Sequence, residues 1–154
     1  MSWIRSATTQ DLPRVWELIR ALAEYEHLTH TVTGTEAELR KWLFEKPVAS
    51  CLVCECEQGI VGYAIYFTTF STFGVLPGIW LEDVFVLPEH RGRGFGKQLI
   101  RAVIQEGRDR GFGRVEWSVL DWNESAIEFY RAIGADVLPD WRICRIRLAS
   151  HSPA

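Results

Sequence analysis

No apolar run in this 154-residue sequence approaches the ~20 residues needed to cross a bilayer, and the opening MSWIRSATTQDLP lacks the basic start and apolar core of a secretory signal. The expectation is a soluble, cytoplasmic chain without a membrane partner. Positive charge is also short, with 17 Lys and Arg against 20 Asp and Glu and a formal charge of -3. A protein built to grip nucleic acid needs a net basic surface, so that class of partner is not expected. Cysteine is scarce. Cys51 and Cys54 have CxxC spacing, but they lie in SCLVCEC, which reads as an extended strand, and no second CxxC or His pair complements them. Cys51, Cys54, Cys56 and Cys144 are read as small buried hydrophobes. His27, His30, His90 and His151 lack ligand spacing, so no metal site is expected. Internal repeats, low-complexity tracts and linkers are missing too. One domain over residues 1–150, with a short tail at 151–154, follows.

What is present is an ordinary globular composition, 47% hydrophobic and 24% charged, with a surplus of seven Trp. WIRSA reads as a short strand. The next segment places Leu12, Val15, Leu18, Ile19 and Leu22 at helical spacing, with Thr9 or Asp11 available as a cap. Thr35 and Glu38 form a capping box ahead of Leu39, Trp42 and Leu43, which predicts a second helix. From Ser50 the period changes. SCLVCEC and IVGYAIYFTTF, joined by a tight turn, predict an antiparallel hairpin, and GIWLEDVFVL predicts a nearly all-apolar central strand interrupted by Glu82 and Asp83. A helix through Leu99, Ile100, Val103 and Ile104 stops at Gly111; RVEWSVL reads as a strand, NESAIEFYRAIG as a short helix capped by Asn123, and WRICRIRL as a closing strand. The order predicts an α/β fold with a mixed, mostly antiparallel sheet flanked by about four helices.

Between the central strand and the following helix lies RGRGFG, Arg91 to Gly96. Its glycines miss the GxGxxG spacing of a dinucleotide fingerprint, and a P-loop would need Gly where Arg91 stands and Ser or Thr where Gln98 stands. The general physics of the segment survives both failures. A glycine-rich turn entering a helix presents backbone N–H groups at the positive end of the helix dipole. Arg91, Arg93 and Lys97 would add charge around a bound anion, and a pyrophosphate fits; a solvated basic turn is the other reading.

The strand WLEDVFV, the turn matching Gln/Arg-x-x-Gly-x-Gly/Ala at Arg91, Gly94 and Gly96, and the segment WNESAIEFYRAIGA together resemble the GNAT superfamily of acyl-CoA-dependent N-acetyltransferases, over essentially the whole chain. LAEYE, LEDVFV, RGRGFG and WNESAIEFY are similar to its spermidine/spermine and thialysine branch. The resemblance implies acetyl-CoA, with its pyrophosphate on the amides of Arg91, Gly92, Arg93, Gly94, Phe95 and Gly96, Lys97 nearby, its pantetheine arm along Val84, Phe85 and Val86, and Asn123 near that arm. It implies Tyr130 as the acid that protonates the departing thiolate, although Tyr130 shares a face with Ile127 and Ile133 and also fits a core residue. Glu82 is implied as the group that deprotonates the substrate ammonium, through water, and Asp83 as a holder of cationic substrate. Because successive strand side chains point to opposite sides, the two are not expected to share one task directly; strand-end solvation or Arg pairing is the alternative. Glu24, Tyr25 and Glu26 read as a solvated acidic face, or, by resemblance, Tyr25 and Glu26 border the amine site. Trp122 and Trp141 wall the acceptor site or only pack.

The implied reaction is direct attack of a primary amine on the thioester in a ternary complex. A small cationic acceptor fits the resemblance: a diamine, a polyamine or a lysine-like amino acid. His27 and Thr29, and the short link between β hairpin strands, depart from the polyamine pattern. A protein or peptide acetyltransferase and a non-catalytic acyl-CoA-binding module are the alternatives, and a homodimer is expected by resemblance.

Overall fold

The computed structural model describes residues 1–148, so the expected tail at 151–154 and His151 lie outside the described residues. The chain divides into two compact units, Met1–Trp117 and the segment from Ser118 onward, which are taken in turn.

In the first unit, strand β1 (Ser2–Ser6) leads through a 3-10 turn (Thr9–Asp11) into helix α1 (Leu12–Tyr25). Of the two residues that the sequence left open as a cap, Asp11 stands at the N-cap position of α1 but gives that helix no side-chain bond: its carboxylate reaches back to Thr8, the cap of the 3-10 turn, accepting the Thr8 backbone N–H at 2.7 Å and the Thr8 hydroxyl at 3.1 Å. Pro13 sits in the first turn, where its missing N–H is no loss. Helix α2 (Glu36–Arg40) starts at the expected capping box, with Thr35 Oγ1 accepting from the Glu38 N–H at 3.2 Å and Glu38 Oε2 accepting from the Thr35 N–H at 2.9 Å. It widens into a π-helical turn over Lys41–Glu45, which buries Leu43 but leaves Trp42 exposed.

Strands β2 (Ser50–Cys56), β3 (Gly59–Ser71), β4 (Leu76–Val86) and β5 (Val115–Glu116) join β1 in one five-stranded sheet, ordered β1-β2-β3-β4-β5. Every neighbouring pair is antiparallel except β4 and β5. Helix α1 covers one face, where Leu12, Val15 and Leu18 pack with Val53, Tyr63, Ile65 and Phe85. Burying each of the three α1 side chains is worth roughly 1.5–3 kcal/mol, so this face alone anchors the helix. Helix α3 (Phe95–Asp109) takes the other face, burying Leu99, Ile100 and Val103. Gly62 lets β3 and β4 approach there: a Cβ at that position would sit 2.8 Å from the Phe85 carbonyl oxygen and 3.3 Å from Leu99 Cδ1. Cys51, Cys54 and Cys56 are buried in this sheet, as expected.

Strand β5 is far shorter than RVEWSVL predicts. It pairs with β4 only at Ile79 and Trp80, because the next step of β4 is a β-bulge. Tyr66 opposes Leu81 and Ile65 opposes Asp83, which leaves Glu82 as the extra residue. From Leu81 to Val86, β4 pairs with β3 along one edge, and among the described residues no strand pairs with its other edge.

The second unit contains helix α4 (Glu124–Ala132), capped by Asn123 as expected, and Gly134 lies just past its end at φ +97°. The predicted closing strand WRICRIRL does not form: residues 141–148 have no regular structure, and Trp141, Ile143, Ile146 and Leu148 are exposed. A strand is stable only against a ladder partner, and among the described residues none pairs with this segment. Cys144, expected to be buried, is exposed for the same reason.

Candidate active site

The bulge in β4 corrects the expectation that Glu82 and Asp83 point to opposite sides. Along regular β3, Tyr63, Ile65 and Phe67 share the α1-facing side, and their partners Phe85, Asp83 and Trp80 lie on the same side of β4. Asp83 accepts the Tyr63 phenol O–H at 2.9 Å, and Glu82 accepts the Trp80 indole N–H at 3.0 Å. Glu82, two residues from Trp80, keeps Trp80's side by ordinary alternation, and the extra residue brings Asp83 round to that side, so the two carboxylates serve one region of the sheet. Glu82 is exposed, whereas Asp83 is partly buried.

Glu26, the C-terminal cap of α1, belongs to the same region. Burial pushes Asp83 up to about 6; the Tyr63 hydroxyl pulls the other way, and the charges of Glu82 and Glu26 add to the rise. Burial also raises Glu26. Among the described residues no Lys or Arg forms an ion pair with Glu26, Glu82 or Asp83. Three carboxylates thus lie in one region with no Lys or Arg ion pair among the described residues, and such a site attracts a positive ligand. Tyr63, missed at the sequence level, is wholly buried. The signal was available: a tyrosine inside an apolar strand needs a partner for its hydroxyl, and a carboxylate interrupts the next strand.

The turn after β4 has the features an anion cradle needs. A 3-10 turn (Pro88–His90) is followed by Gly92 at φ +75° and by Gly94, the cap of α3, at φ +81°. Both conformations favour glycine, and a Cβ at either position would meet nothing within 4 Å, so the space beside the turn is open. The first backbone bond of α3 runs from the Gln98 N–H to the Gly94 carbonyl at 3.0 Å. The amides of Phe95, Gly96 and Lys97 precede that bond and face outward at the positive end of the helix. Lys97 and Arg93 are exposed, with Arg93 stacked over Phe95 at 4.9 Å. Arg91 turns away from its expected use. Its Nε donates to the Val86 carbonyl at 3.0 Å and its guanidinium lies over the rings of Tyr25, at 4.5 Å, and Phe85, at 5.4 Å. Tyr25 and Phe85 themselves lie 6.4 Å apart, so Arg91, Tyr25 and the end of β4 form one cluster.

The remaining predicted residues lie in the second unit. Asn123 is buried, and its Oδ1 accepts from the Ala126 N–H at 3.4 Å and the Ser125 hydroxyl at 3.3 Å. Trp122 is exposed. Tyr130 packs its ring 5.6 Å from that of Phe129 and is half-buried. Among the described residues no three His, Cys, Asp or Glu side chains gather as a metal site, and no helix is long and apolar enough to cross a membrane.

These features meet their counterparts among known proteins. The acetyltransferase (GNAT) family profile matches residues 12–135. A thialysine N-epsilon-acetyltransferase of Bos taurus is 40% identical over 89% of this chain and 85% of its own length. An L-ornithine N5-acetyltransferase of Arabidopsis thaliana is 30% identical over 94% of this chain and 84% of its own. The solved structure of an aminoglycoside acetyltransferase from an uncultured soil metagenomic sample matches with a TM-score of 0.79 at 22% identity, covering 96% of each chain, a likeness of fold alone. The chain belongs to the GNAT family and is an N-acetyltransferase. Acetyl-CoA is the donor typical of that family, and the open glycine turn before α3 fits its pyrophosphate.

Proposed function

We propose that this enzyme acetylates a primary amine of a small substrate that carries a second positive charge, a lysine-like or ornithine-like diamino acid or a short diamine. One observation carries the reading: Glu26, Glu82 and Asp83 lie together, and among the described residues no Lys or Arg forms an ion pair with them; relatives named for thialysine and ornithine acetylation match most of this chain.

In this reading Gly92, Gly94 and the amides of Phe95 to Lys97 hold the pyrophosphate of acetyl-CoA, with Arg93 and Lys97 beside them and the pantetheine arm against the open edge of Val84, Phe85 and Val86. Asn123 is assigned to that arm by the family resemblance alone. Acetyl-CoA, when bound, supplies the acetyl group as an activated thioester. An alkyl ammonium with a pKa of ~10.4 has no lone pair to attack with at neutral pH. Glu82, exposed at the bulge, takes its proton through water, while Asp83 and Glu26 hold the second charge beside Tyr25; Trp122 is assigned to the acceptor by the family resemblance alone. A backbone N–H of β4 polarises the acyl oxygen. The new C–N bond would form as the C–S bond breaks, with Tyr130 giving its phenol proton to the departing sulfur and recovering a proton from the acylated nitrogen, which becomes the neutral amide. Attack is direct, within a ternary complex, and the enzyme works as a homodimer.

The test is a CoA-release screen over thialysine, ornithine, spermidine, aminoglycosides and peptide N-termini. Turnover of the diamino acids well above the peptides supports the reading. Turnover of peptides alone moves the enzyme to the protein-modifying class, and CoA binding with no turnover of any amine leaves an acyl-CoA-binding module.

A further inference from the structure

Tyr63 is unused by the reaction as described, yet it is the most deeply placed polar side chain near the carboxylates. It lies on β3 with its ring wholly buried against α1, in the cluster of Val15, Leu18, Val53 and Phe85. Its hydroxyl reaches Asp83 Oδ2 at 2.9 Å. We propose that Tyr63 is a positioning residue for acceptor recognition: through its hydrogen bond it pins Asp83 on the α1-facing side of the β4 bulge, so that the carboxylate meets the second ammonium of the substrate. This inference rests on the reading of Asp83 as the holder of that charge.

The geometry gives the bond two tasks. A β-bulge loosens side-chain direction, because the extra residue breaks the alternation that fixes it in a regular strand. Asp83 directly follows the extra residue, Glu82. A rigid phenol anchored in the core restores one direction and occupies one carboxylate oxygen. The second task is electrostatic. Facing Asp83 are Cys51 from β2, Tyr63 from β3, Glu26 from α1 and Glu82 on its own strand, with Arg91 over Phe85 two residues along. The carboxylates and the burial disfavour ionised Asp83, and the Tyr63 hydroxyl opposes them, which keeps Asp83 charged at neutral pH.

The experiment compares wild type, Tyr63→Phe, Asp83→Asn and the double variant on two acceptors of equal length, a diamino acid and a monoamine without the second charge, from pH 5 to 9. Loss of one hydrogen bond to a charged group predicts a ~10-fold fall in kcat/KM for the diamino acid, carried by KM, in Tyr63→Phe, with little change for the monoamine. The acid limb of the diamino-acid profile should move up by about one pH unit. Adding Tyr63→Phe to Asp83→Asn should change nothing further, since the phenol acts through Asp83. An unchanged preference and pH limb in Tyr63→Phe, while Asp83→Asn loses the preference, overturns the Tyr63 proposal and spares the reading of Asp83. If Asp83→Asn keeps the preference, both fall. Should Tyr63→Phe fail to fold, the phenol carbon resonance of wild-type Tyr63 supplies the answer: it should follow the Asp83 titration near pH 6, and a flat response overturns the proposal.

Discussion

Two partly buried aspartates, Asp11 and Asp83, show how the same side chain is treated at a structural corner and at a candidate active site. Asp11 receives two guanidinium bonds from Arg5, at 2.7 and 3.0 Å, as well as the Thr8 N–H and hydroxyl, and Arg5 also holds Glu55 at 2.7 Å. The Arg5 bonds hold its carboxyl well below the usual range. Asp83 has one phenol, two neighbouring carboxylates and, among the described residues, no Lys or Arg ion pair, and burial leads the rise of its carboxyl to about 6. At the first corner the chain supplies the balancing charge itself and the fold gains stability. At the second it withholds that charge, which costs free energy until a cationic ligand arrives. An uncompensated carboxylate held in place by good geometry is the mark of a site whose missing partner is the substrate.

The largest expected effect separates Glu82 from Asp83. Glu82→Gln should lower kcat by about 10²–10³-fold, as loss of a general base does, with CoA affinity and melting temperature near wild type because Glu82 is exposed. A kcat within a few-fold of wild type would remove Glu82 from the proton path.

Asp83→Asn sharpens the comparison through stability. Its folded value, about 6, lies above the unfolded value of 3.8, so the fold favours the neutral form; the stability from that preference is full below about pH 4 and is lost as pH rises through 6. The variant should therefore be more stable than wild type at pH 8, by up to about 3 kcal/mol and by less where water or Tyr63 already screens the charge, and no more stable at pH 4. Urea unfolding at the two pH values reads it directly. Asp11→Asn should do the opposite. Weakening its bonds to Arg5 and Thr8 should destabilise the protein by about 1–2 kcal/mol at pH 7. A depressed carboxylate gives its stability above the unfolded pKa and loses it as pH falls through the folded one, so the gap to wild type should close on acidification. Its kcat should not change. The smallest effect is at the turn, where Gly94→Ala at φ +81° should cost about 1 kcal/mol and weaken CoA binding by crowding the cradle.

Much of this was legible in the sequence because it depends on short-range chemistry. The Thr35–Glu38 box, the Asn123 cap, the Gly111 stop and the glycine turn are all fixed within a few residues of chain. The bulge was not legible, because it is a property of how β4 registers against β3, and alternation read along β4 alone placed Glu82 and Asp83 apart. The shortness of β5 has the same origin. WRICRIRL has an apolar pattern that suits a strand, but pattern does not provide a ladder partner. Arg91 matched its motif position, yet its side chain serves Val86, Tyr25 and Phe85, a choice that rings from two distant segments decide.

In the proposed reaction Asp83 waits for a cation. The most direct measurement follows the Asp83 carboxyl carbon resonance against pH with and without a saturating, unreactive diamine analogue of the acceptor. A bound ammonium beside the carboxylate should bring its midpoint well below 6, towards the range in which Arg5 holds Asp11. A midpoint that stays near 6 while the diamine is bound would contradict the account.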